Sequence, residues 1–280
     1  MSALVAGVGM IAFTKPGANQ PYPLMASTAA RQALADAGVD YAAVQQAYAG
    51  YVYGDSTSGQ KALYSLGMSG IPIVNVNNNC STGSTALFLA RQAIDSGAAD
   101  CVLALGFEQM KPGALGTVFD DRPSPFEDFD RAAAALVGHP ELPLALRYFG
   151  GAGLAHMNKY GTPLEAFAKV RAKASRHAAR NPLALLRSEL SVDDVMNAPA
   201  LWPGVLTRLM ACPPTCGAAA AVLVSERYAR QHGLRHDVRV RAQAMTTDTP
   251  DSFASRDMMQ LVGYGTVSYT HLTLLTKRIV

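Results

Sequence analysis

The sequence predicts a layered α/β fold, and three observations carry this prediction. Over the first 110 residues, short segments rich in small and β-branched residues alternate with segments of helical periodicity. Glycines such as Gly38 and Gly97 stand where helical segments end, as left-handed residues do. The composition is 49% hydrophobic and 16% charged, enough for a large buried core. Such alternation is typical of βαβ units in a layered α/β domain.

The elements of this first region follow one another at regular spacing. Residues 3–13 are small and β-branched and suit a buried strand. Residues 22–37 have mixed helical spacing and end before Gly38, which predicts a helix. The elements expected next, in order, are a strand at 44–54, a helix at 59–70, a strand at 71–77, a helix at 81–96 and a strand at 101–109.

The pattern changes after Met110. Residues 111–150 contain prolines, glycines and the acidic run FDDRPSPFEDFD, and they predict an irregular excursion across a surface. A helix is expected at 163–180, followed by a strand and a short helix within 217–232. Residues 238–245 alternate as a strand does.

The charge balance and the cysteines exclude several classes of protein. The chain has 24 Lys and Arg against 21 Asp and Glu, a net charge of +3 that is too small to indicate a nucleic-acid partner. No apolar run reaches the ~18 residues that predict a membrane span. The spacing of the four cysteines shows no disulfide framework, and no secretory signal precedes them, so a cytoplasmic protein is expected. Cys212 and Cys216 lack the second Cys/His pair of a zinc site, and no metal is predicted.

Cys80 is the cysteine placed for chemistry. It stands between an apolar, β-branched segment and a helical one, in the stretch VNVNNNCSTGSTAL. A thiol at such a turn lies near the N–H groups of the first helical turn, which favour a thiolate and can bind an oxyanion. Small residues follow, so that a substrate can approach. A structural cysteine at a helix start would give a similar pattern, and the residues alone leave both interpretations open.

Four separated stretches are similar to one protein family. NNNCSTGSTALFLARQAI, ADCVLALGFEQM, HMNKYGTPLEAFAKV and CPPTCGAAAAVLVSE together resemble the thiolase superfamily, in family order and at family spacing. The branch they resemble most is the sterol-carrier-protein-2-type thiolases, also called lipid-transfer or acetyl-CoA acetyltransferase-like proteins. The resemblance runs from about residue 3 to about residue 264.

This resemblance implies a thiolase fold and a domain plan. Two similar βαβαβαββ halves stack in five layers, and a loop domain is inserted in the first half. Here the first half is expected at 1–110, completed by about 211–235. The loop domain is expected at 111–210, and the second half is expected to begin at 236–265. The family commonly forms homodimers.

The resemblance also implies an activity and its residues. Thiolases are acyl-CoA C-acyltransferases that cleave or condense 3-oxoacyl-CoA in lipid metabolism, with CoA as a substrate and no cofactor. Cys80 matches the nucleophile that takes the acyl group. His156 and Met157 match a His-Met pair that borders the CoA and acyl pocket, and they are the expected substrate-binding residues.

The sequence departs from the family in its last part. The family's second half supplies a Gly-His-Pro histidine and a second cysteine as acid/base groups, and this chain stops resembling the family near Tyr264. Residues 266–280 are interpreted as a non-native tail, and the thiolase is expected to be truncated. His139 lies in a Gly-His-Pro stretch within the expected loop domain and is interpreted as a coincidence. Since an acid/base partner contributes ~10²–10⁴-fold, the chain by itself is expected to turn over poorly or not at all.

Two other functions stay open at this point. Some thiolase-like relatives are retro-aldol lyases on steroid side-chain CoA esters and work with an OB-fold partner protein. They do not rely on the cysteine, so the intact NNNCSTGS argues modestly against this alternative. The other alternative is a non-catalytic subunit that binds acyl-CoA or lipid.

Overall fold

Contacts divide the chain into two units. The computed structural model describes residues 3–113, 116 and 119–265. Residues 3–112 and 215–245 form the first unit, and 113–214 with 246–265 fall in the second. The assignment of these pieces to a thiolase half, a loop domain and the start of a second half stays a prediction. The predicted tail, 266–280, lies outside the described residues.

The first unit is an α/β structure, as the alternating pattern predicts. Its strands are β1 (Ala3–Met10), β2 (Gln46–Gly50), β3 (Ile73–Val76), β4 (Cys101–Glu108) and β7 (Gly217–Ser225). Its helices are α1 (Tyr22–Ala37), α2 (Ser58–Leu63), α3 (Thr82–Asp95) and α8 (Glu226–His232), with a 3₁₀ turn at Tyr41–Ala43. Helix α1 has the predicted bounds and ends at Gly38, whose φ of 67° is the left-handed value that glycine adopts most easily.

The five strands form one sheet in the order β1-β7-β4-β2-β3. Strand β2 is parallel to β3 and β4, while β7 is antiparallel to both β1 and β4. Strands β1 to β4 therefore run in one direction, and their carboxyl ends lie at one edge of the sheet. In open α/β sheets this edge is where ligands bind.

Helices cover both faces of the sheet, and β4 shows how its residues divide between them. Alternate side chains of a strand point to opposite faces. Leu103, Leu105 and Phe107 belong to a core that includes α1 and α2 residues, whereas Val102 and Ala104 pack in a separate core with α3. The order of layers is therefore α1 and α2, then the sheet, then α3.

Helix α1 lies very close to β1, and glycine makes this possible. A Cβ on Gly7 would lie 2.3 Å from the Ala37 nitrogen, and one on Gly9 would lie 2.2 Å from the Ala29 carbonyl oxygen. These distances are overlaps with backbone, which cannot move aside as a side chain can. The face of α1 toward the sheet is correspondingly small; its fully buried residues include Ala26, Ala29, Ala30 and Ala33.

The second unit is mostly helical, and here one sequence prediction is wrong. Residues 111–150 were expected to be irregular, but they contain α4 (Glu127–Val137) and the start of α5 (Leu144–Tyr160). The reason is that prolines and acidic residues also favour helix starts: Pro143 precedes α5, and Glu127 and Asp128 lie in the first turn of α4. A small core of Ala133, Tyr148, Met258 and Leu261 explains why these helices form.

The remaining elements of the second unit are short, except for helix α6. They are α6 (Leu164–Ala179), α7 (Val192–Met196), β5 (Ala200–Trp202), β6 (Leu206–Thr207), α9 (Asp251–Ala254) and α10 (Met258–Leu261). Helix α6 agrees with the helix expected at 163–180. No helix in the described part of the chain is both long enough and apolar enough to cross a bilayer.

The strand expected at 238–245 is also a wrong prediction. Only Arg239 forms a bridge, to Leu4, and two further hydrogen bonds join Val238 and Val240 to β1. The segment does alternate in sequence, but it lies beside the edge of β1 for three residues only. It then leaves β1, so the hydrogen bonds between the two do not continue as a strand pair.

Replacing Gly9 with alanine tests the close approach of α1. We expect Gly9→Ala to lower the free energy of unfolding by about 3 kcal/mol, because the added Cβ overlaps the α1 backbone and forces the helix off the sheet. Urea unfolding followed by circular dichroism measures the change. Gly83→Ala is the matched control, since a Cβ there meets nothing within 4 Å. Equal stability of the two variants would contradict the argument.

Candidate active site

Cys80 lies at the carboxyl edge of the sheet, in the turn between β3 and α3. Strand β3 ends at Val76, and α3 begins at Thr82 with Ser81 as its N-cap. The thiol is exposed. The sequence therefore predicts the place of Cys80 correctly, although the flanking strand and helix are each shorter than expected.

Side chains of the turn itself hold it in shape. The Thr82 hydroxyl accepts a hydrogen bond from the Asn78 N–H at 2.8 Å and donates one to the Asn79 carbonyl at 2.6 Å. The Asn78 amide donates to the Thr85 hydroxyl at 3.0 Å, and the Ser81 hydroxyl donates to the Asn78 carbonyl at 2.8 Å. The Asn78 N–H thereby has an acceptor within the turn, and the Asn78 and Asn79 carbonyls each accept a side-chain hydroxyl.

The run of asparagines has a conformational reason. Asn79 has a φ of 46°, in the left-handed region, which asparagine tolerates better than other residues with a side chain. This residue directly precedes Cys80. A sharp change of direction at Asn79 is what separates the strand from the cysteine in so few residues.

The start of α3 rests on the ends of β2 and β4, and glycines allow the contact. A Cβ on Gly50, the last residue of β2, would lie 2.8 Å from the Thr82 Cγ2 and 3.0 Å from the Thr82 carbonyl oxygen. One on Gly106, which pairs with Gly50 across the sheet, would be 3.6 Å from the Gly83 Cα. The turn that carries Cys80 is thus seated directly on the sheet edge.

The N–H groups at the start of α3 are only partly open to an anion. Those of Ser81 and Thr82 donate to the carbonyls of Asn78 and Asn79, each at 3.1 Å. The field of the helix at Cys80 therefore comes mainly from the next residues, Gly83 and Ser84. The space around Gly83 is open, as approach of a substrate requires.

The other cysteines have different surroundings. Burial, followed by the Asp100 charge, raises the pKa of the Cys101 thiol to about 12. Cys216 is buried, and its sulfur accepts a hydrogen bond from the Met110 N–H at 3.2 Å. Cys212 is exposed and lies in the second unit. Within residues 3–113, 116 and 119–265, no three His, Cys, Asp or Glu side chains are grouped so that they could hold a metal ion.

Glu108, the last residue of β4, was missed by the sequence reasoning. Its carboxylate accepts hydrogen bonds from the N–H groups of Val52 at 2.9 Å and Tyr53 at 3.3 Å. Burial raises the pKa of Glu108, and the N–H groups of Val52, Tyr53 and Gln109 oppose that rise. A half-buried carboxylate at the ligand-binding edge is a candidate functional group. Its signal was present in GFEQ, where an acidic residue ends a buried strand.

His156 and Met157 lie in the second unit, near the end of α5, and both are half-buried. The His156 ring packs against Tyr160, with 4.7 Å between ring centroids, and more distantly against Phe167. Its Nδ1 is buried and has no hydrogen-bond partner among the described residues. His139, in contrast, is paired with Glu141 at 2.9 Å and packs on Trp202.

Comparison with known proteins places this architecture in a family. Residues 4–120 match the family model of the thiolase N-terminal domain. This stretch of the chain is a thiolase N-terminal domain. This match covers β1 to β4, the helices between them and the turn at Cys80. The fold predicted from the sequence, a thiolase fold, is confirmed.

Relatives of known sequence or structure agree with this assignment. Sterol carrier protein 2 from Bos taurus is 50% identical over 263 residues, which are 93% of this chain and 48% of that protein. The chain thus spans about half the length of that relative. The solved structure of the Ltp2-ChsH2(DUF35) aldolase has a TM-score of 0.71 at 22% identity, over 92% of this chain and 63% of that one. Human mitochondrial 3-ketoacyl-CoA thiolase in complex with CoA has a TM-score of 0.65 at 18% identity, over 85% and 68%. At these identities the solved structures show the shared fold.

Alkylation by iodoacetamide tests the contrast between the thiols. At pH 8 a thiol with a pKa of about 12 ionises roughly 10³-fold less than an ordinary exposed thiol, so Cys101 should react slowly and Cys80 rapidly. Peptide mass spectrometry at timed intervals measures each rate, and the exposed Cys212 is the internal control. Equal rates at Cys80 and Cys101 in the folded protein would contradict this arrangement.

Replacement of Thr82 tests the hydrogen bonds of the turn. Thr82→Val keeps the volume of the side chain but leaves the Asn78 N–H without its partner, so we expect a loss of about 1–3 kcal/mol in the free energy of unfolding. Urea unfolding measures it. Ser84→Ala is the control, because Ser84 is exposed in the same helical turn. A Thr82→Val variant as stable as the control would show that these bonds do not hold the turn.

Proposed function

We propose that this protein is an acyl-CoA C-acyltransferase of the thiolase type, acting in lipid or sterol metabolism, with Cys80 as its nucleophile. The observation that carries the proposal is the exposed thiol in a turn held by its own side chains at the carboxyl edge of the sheet. A fixed, accessible thiol beside a helix start has the geometry for covalent acyl transfer. The match of residues 4–120 to the thiolase N-terminal domain supports the same chemistry.

The proposed reaction has two steps. The Cys80 thiolate attacks the C3 carbonyl of a 3-oxoacyl-CoA, the bond between C2 and C3 breaks, and the electron pair stays on C2, which takes a proton to give acetyl-CoA. The acyl group is then a thioester on Cys80. The thiol of a second CoA loses its proton, attacks this thioester and releases the shortened acyl-CoA with a regenerated thiolate. The N–H groups at the start of α3 favour the negative charge on sulfur in both steps.

Binding of CoA is proposed for the second unit as well. We propose that His156 and Met157 border the CoA and acyl pocket. The buried Nδ1 of His156, which no described residue pairs with, supports a polar role, and the thioether of Met157 adapts to different acyl groups. CoA is a substrate here, so no cofactor is needed. A cytoplasmic homodimer is part of the same proposal.

A second candidate function is acyl-CoA or lipid binding without turnover. The observation that favours it is the 50% identity to a protein named sterol carrier protein 2. A third, retro-aldol cleavage with an OB-fold partner, matches the name of one solved neighbour, but at 22% identity that likeness shows the fold alone. The three candidates differ in what they require of Cys80. Acyl transfer needs its thiol, whereas binding and retro-aldol cleavage do not.

The test of the proposal is acylation and protection of Cys80 in the 280-residue chain. With an acyl-CoA at ten times its Kd, alkylation of Cys80 should slow about tenfold, while Cys212 reacts as before. Intact-mass spectrometry after brief incubation should show one acyl adduct on Cys80. The adduct forms by the reverse of the second step: the Cys80 thiolate attacks the thioester carbonyl of the acyl-CoA, and CoA leaves as its thiolate.

Cys80→Ser is the control, and it should form no adduct while the fold, followed by circular dichroism, is kept. Protection without any adduct would favour the binding function instead. If acyl-CoA neither protects Cys80 nor forms an adduct, and calorimetry shows no binding of a CoA ester, then both acyl transfer and binding by this chain are excluded. Cleavage of a β-hydroxyacyl-CoA that survives Cys80→Ser would favour the retro-aldol reaction.

A further inference from the structure

Two neighbouring residues at the end of β4 hold the segment that follows β2 from opposite faces of the sheet. The Phe107 ring stacks on Tyr51, with centroids 5.1 Å apart and planes 20° apart, in the core shared with α1 and α2. Glu108 is next in the strand, so its side chain points to the face that α3 covers. There it accepts the hydrogen bonds from the Val52 and Tyr53 N–H groups.

The segment that Glu108 holds contacts both ends of the turn that carries Cys80. The Tyr51 N–H donates to the carbonyl of Val76, the last residue of β3, at 3.2 Å. Gly50 lies against Thr82, the first residue of α3, so closely that a Cβ would overlap it. The turn between β3 and α3 is therefore supported by residues 50–53, whose backbone depends on Glu108.

Polar contacts explain why a half-buried carboxylate occupies this place. Two backbone donors aimed at one side chain need an acceptor with several lone pairs, which a carboxylate supplies. Glu108 also lines a surface cavity of about 610 Å³, together with Tyr53, Asp55 and Lys111. Burial of a carboxylate without hydrogen-bond partners costs desolvation free energy. At Glu108 the two N–H bonds offset part of that cost.

Ionisable groups from several elements face Glu108. The phenol of Tyr53 has its pKa raised by burial first and then by the charges of Glu108 and Cys80, so it lies close to both. Directly before β7, the Cys216 thiol has its pKa raised by burial and then by Glu108, while its hydrogen bond from Met110 acts the other way. Asp55 and Lys111 share the cavity. The Glu108 carboxylate thus lies among several ionisable groups at this edge of the sheet.

We infer that Glu108 is a positioning residue for Cys80, which in its ionised form fixes residues 50–53 and through them the turn that presents the thiol to acyl-CoA. The inference rests on the proposed function only for the identity of the substrate. Protonation of Glu108 weakens its two acceptor bonds, so the support of the turn depends on pH. Since the pKa of Glu108 is raised by burial, the bonds weaken at a higher pH than an exposed glutamate would require.

The test measures the rate of Cys80 alkylation relative to Cys212 between pH 5 and pH 8, without acyl-CoA. In the wild-type chain this ratio should fall as the pH decreases through the Glu108 pKa. Glu108→Gln keeps one acceptor oxygen but cannot titrate, so its ratio should show no such step. Glu108→Ala loses both bonds, and its ratio should be several-fold lower than the wild-type value at pH 8. Amide hydrogen exchange should be faster at both Val52 and Tyr53 in Glu108→Ala, and faster at only one of them in Glu108→Gln, because the two N–H groups bind different carboxylate oxygens.

Glu189→Gln is the matched control, because Glu189 is an exposed glutamate of the second unit. The same step in wild type and Glu108→Gln would overturn the inference. So would a ratio that rises when the charge is removed, because Glu108 would then act on the thiol through space. If Glu108→Ala does not fold, the comparison of wild type with Glu108→Gln still decides. Failure of acyl transfer leaves this test intact, since alkylation needs no CoA ester.

Discussion

Helices α1 and α3 lie so close to the sheet that a Cβ atom on the strand glycines beneath them would overlap the helices. The rest of the first unit depends on this close packing. Gly7 and Gly9 bring α1 down onto β1, and Gly50 brings the first turn of α3 down onto β2. Close approach buries small side chains at high density, which stabilises the layers through many short contacts. It also fixes where α3 begins, and so the height of Cys80 above the sheet edge.

Within that frame the turn at Cys80 is stabilised locally and supported from below. Asn78, Thr82 and Thr85 bind one another and the backbone, while Asn79 supplies the left-handed conformation. Neither these hydrogen bonds nor the contacts of the turn with the sheet involve the Cys80 thiol, which is exposed. For the proposed acyl transfer, such an arrangement would help because the position of the thiol does not have to be set again in each reaction cycle.

A sequence similar to sterol carrier protein 2 can be interpreted as a carrier or as an enzyme, and the two interpretations place different demands on the structure. A carrier needs a cavity, whereas covalent transfer needs one reactive atom held at an accessible point. The first unit has both a cavity of about 610 Å³ and an exposed thiol at Cys80, and the proposed acyl transfer uses the thiol. The two buried cysteines, Cys101 and Cys216, have raised pKa values, which separates them chemically from an exposed thiol.

The sequence by itself determined the α/β class, the bounds of α1 and the position of Cys80, because periodicity, a terminal glycine and a strand-to-helix junction are local signals. It also pointed to the thiolase fold through stretches that lie in family order. It did not find α4 and α5, because their prolines and acidic residues resemble a loop when the core that holds the helices is unknown. It overestimated the strand at 238–245, since an alternating pattern does not show whether a partner strand continues. Only the tertiary structure showed that the Glu108 carboxylate binds the Val52 N–H, because residues 52 and 108 are distant in sequence and meet only when β2 and β4 pair.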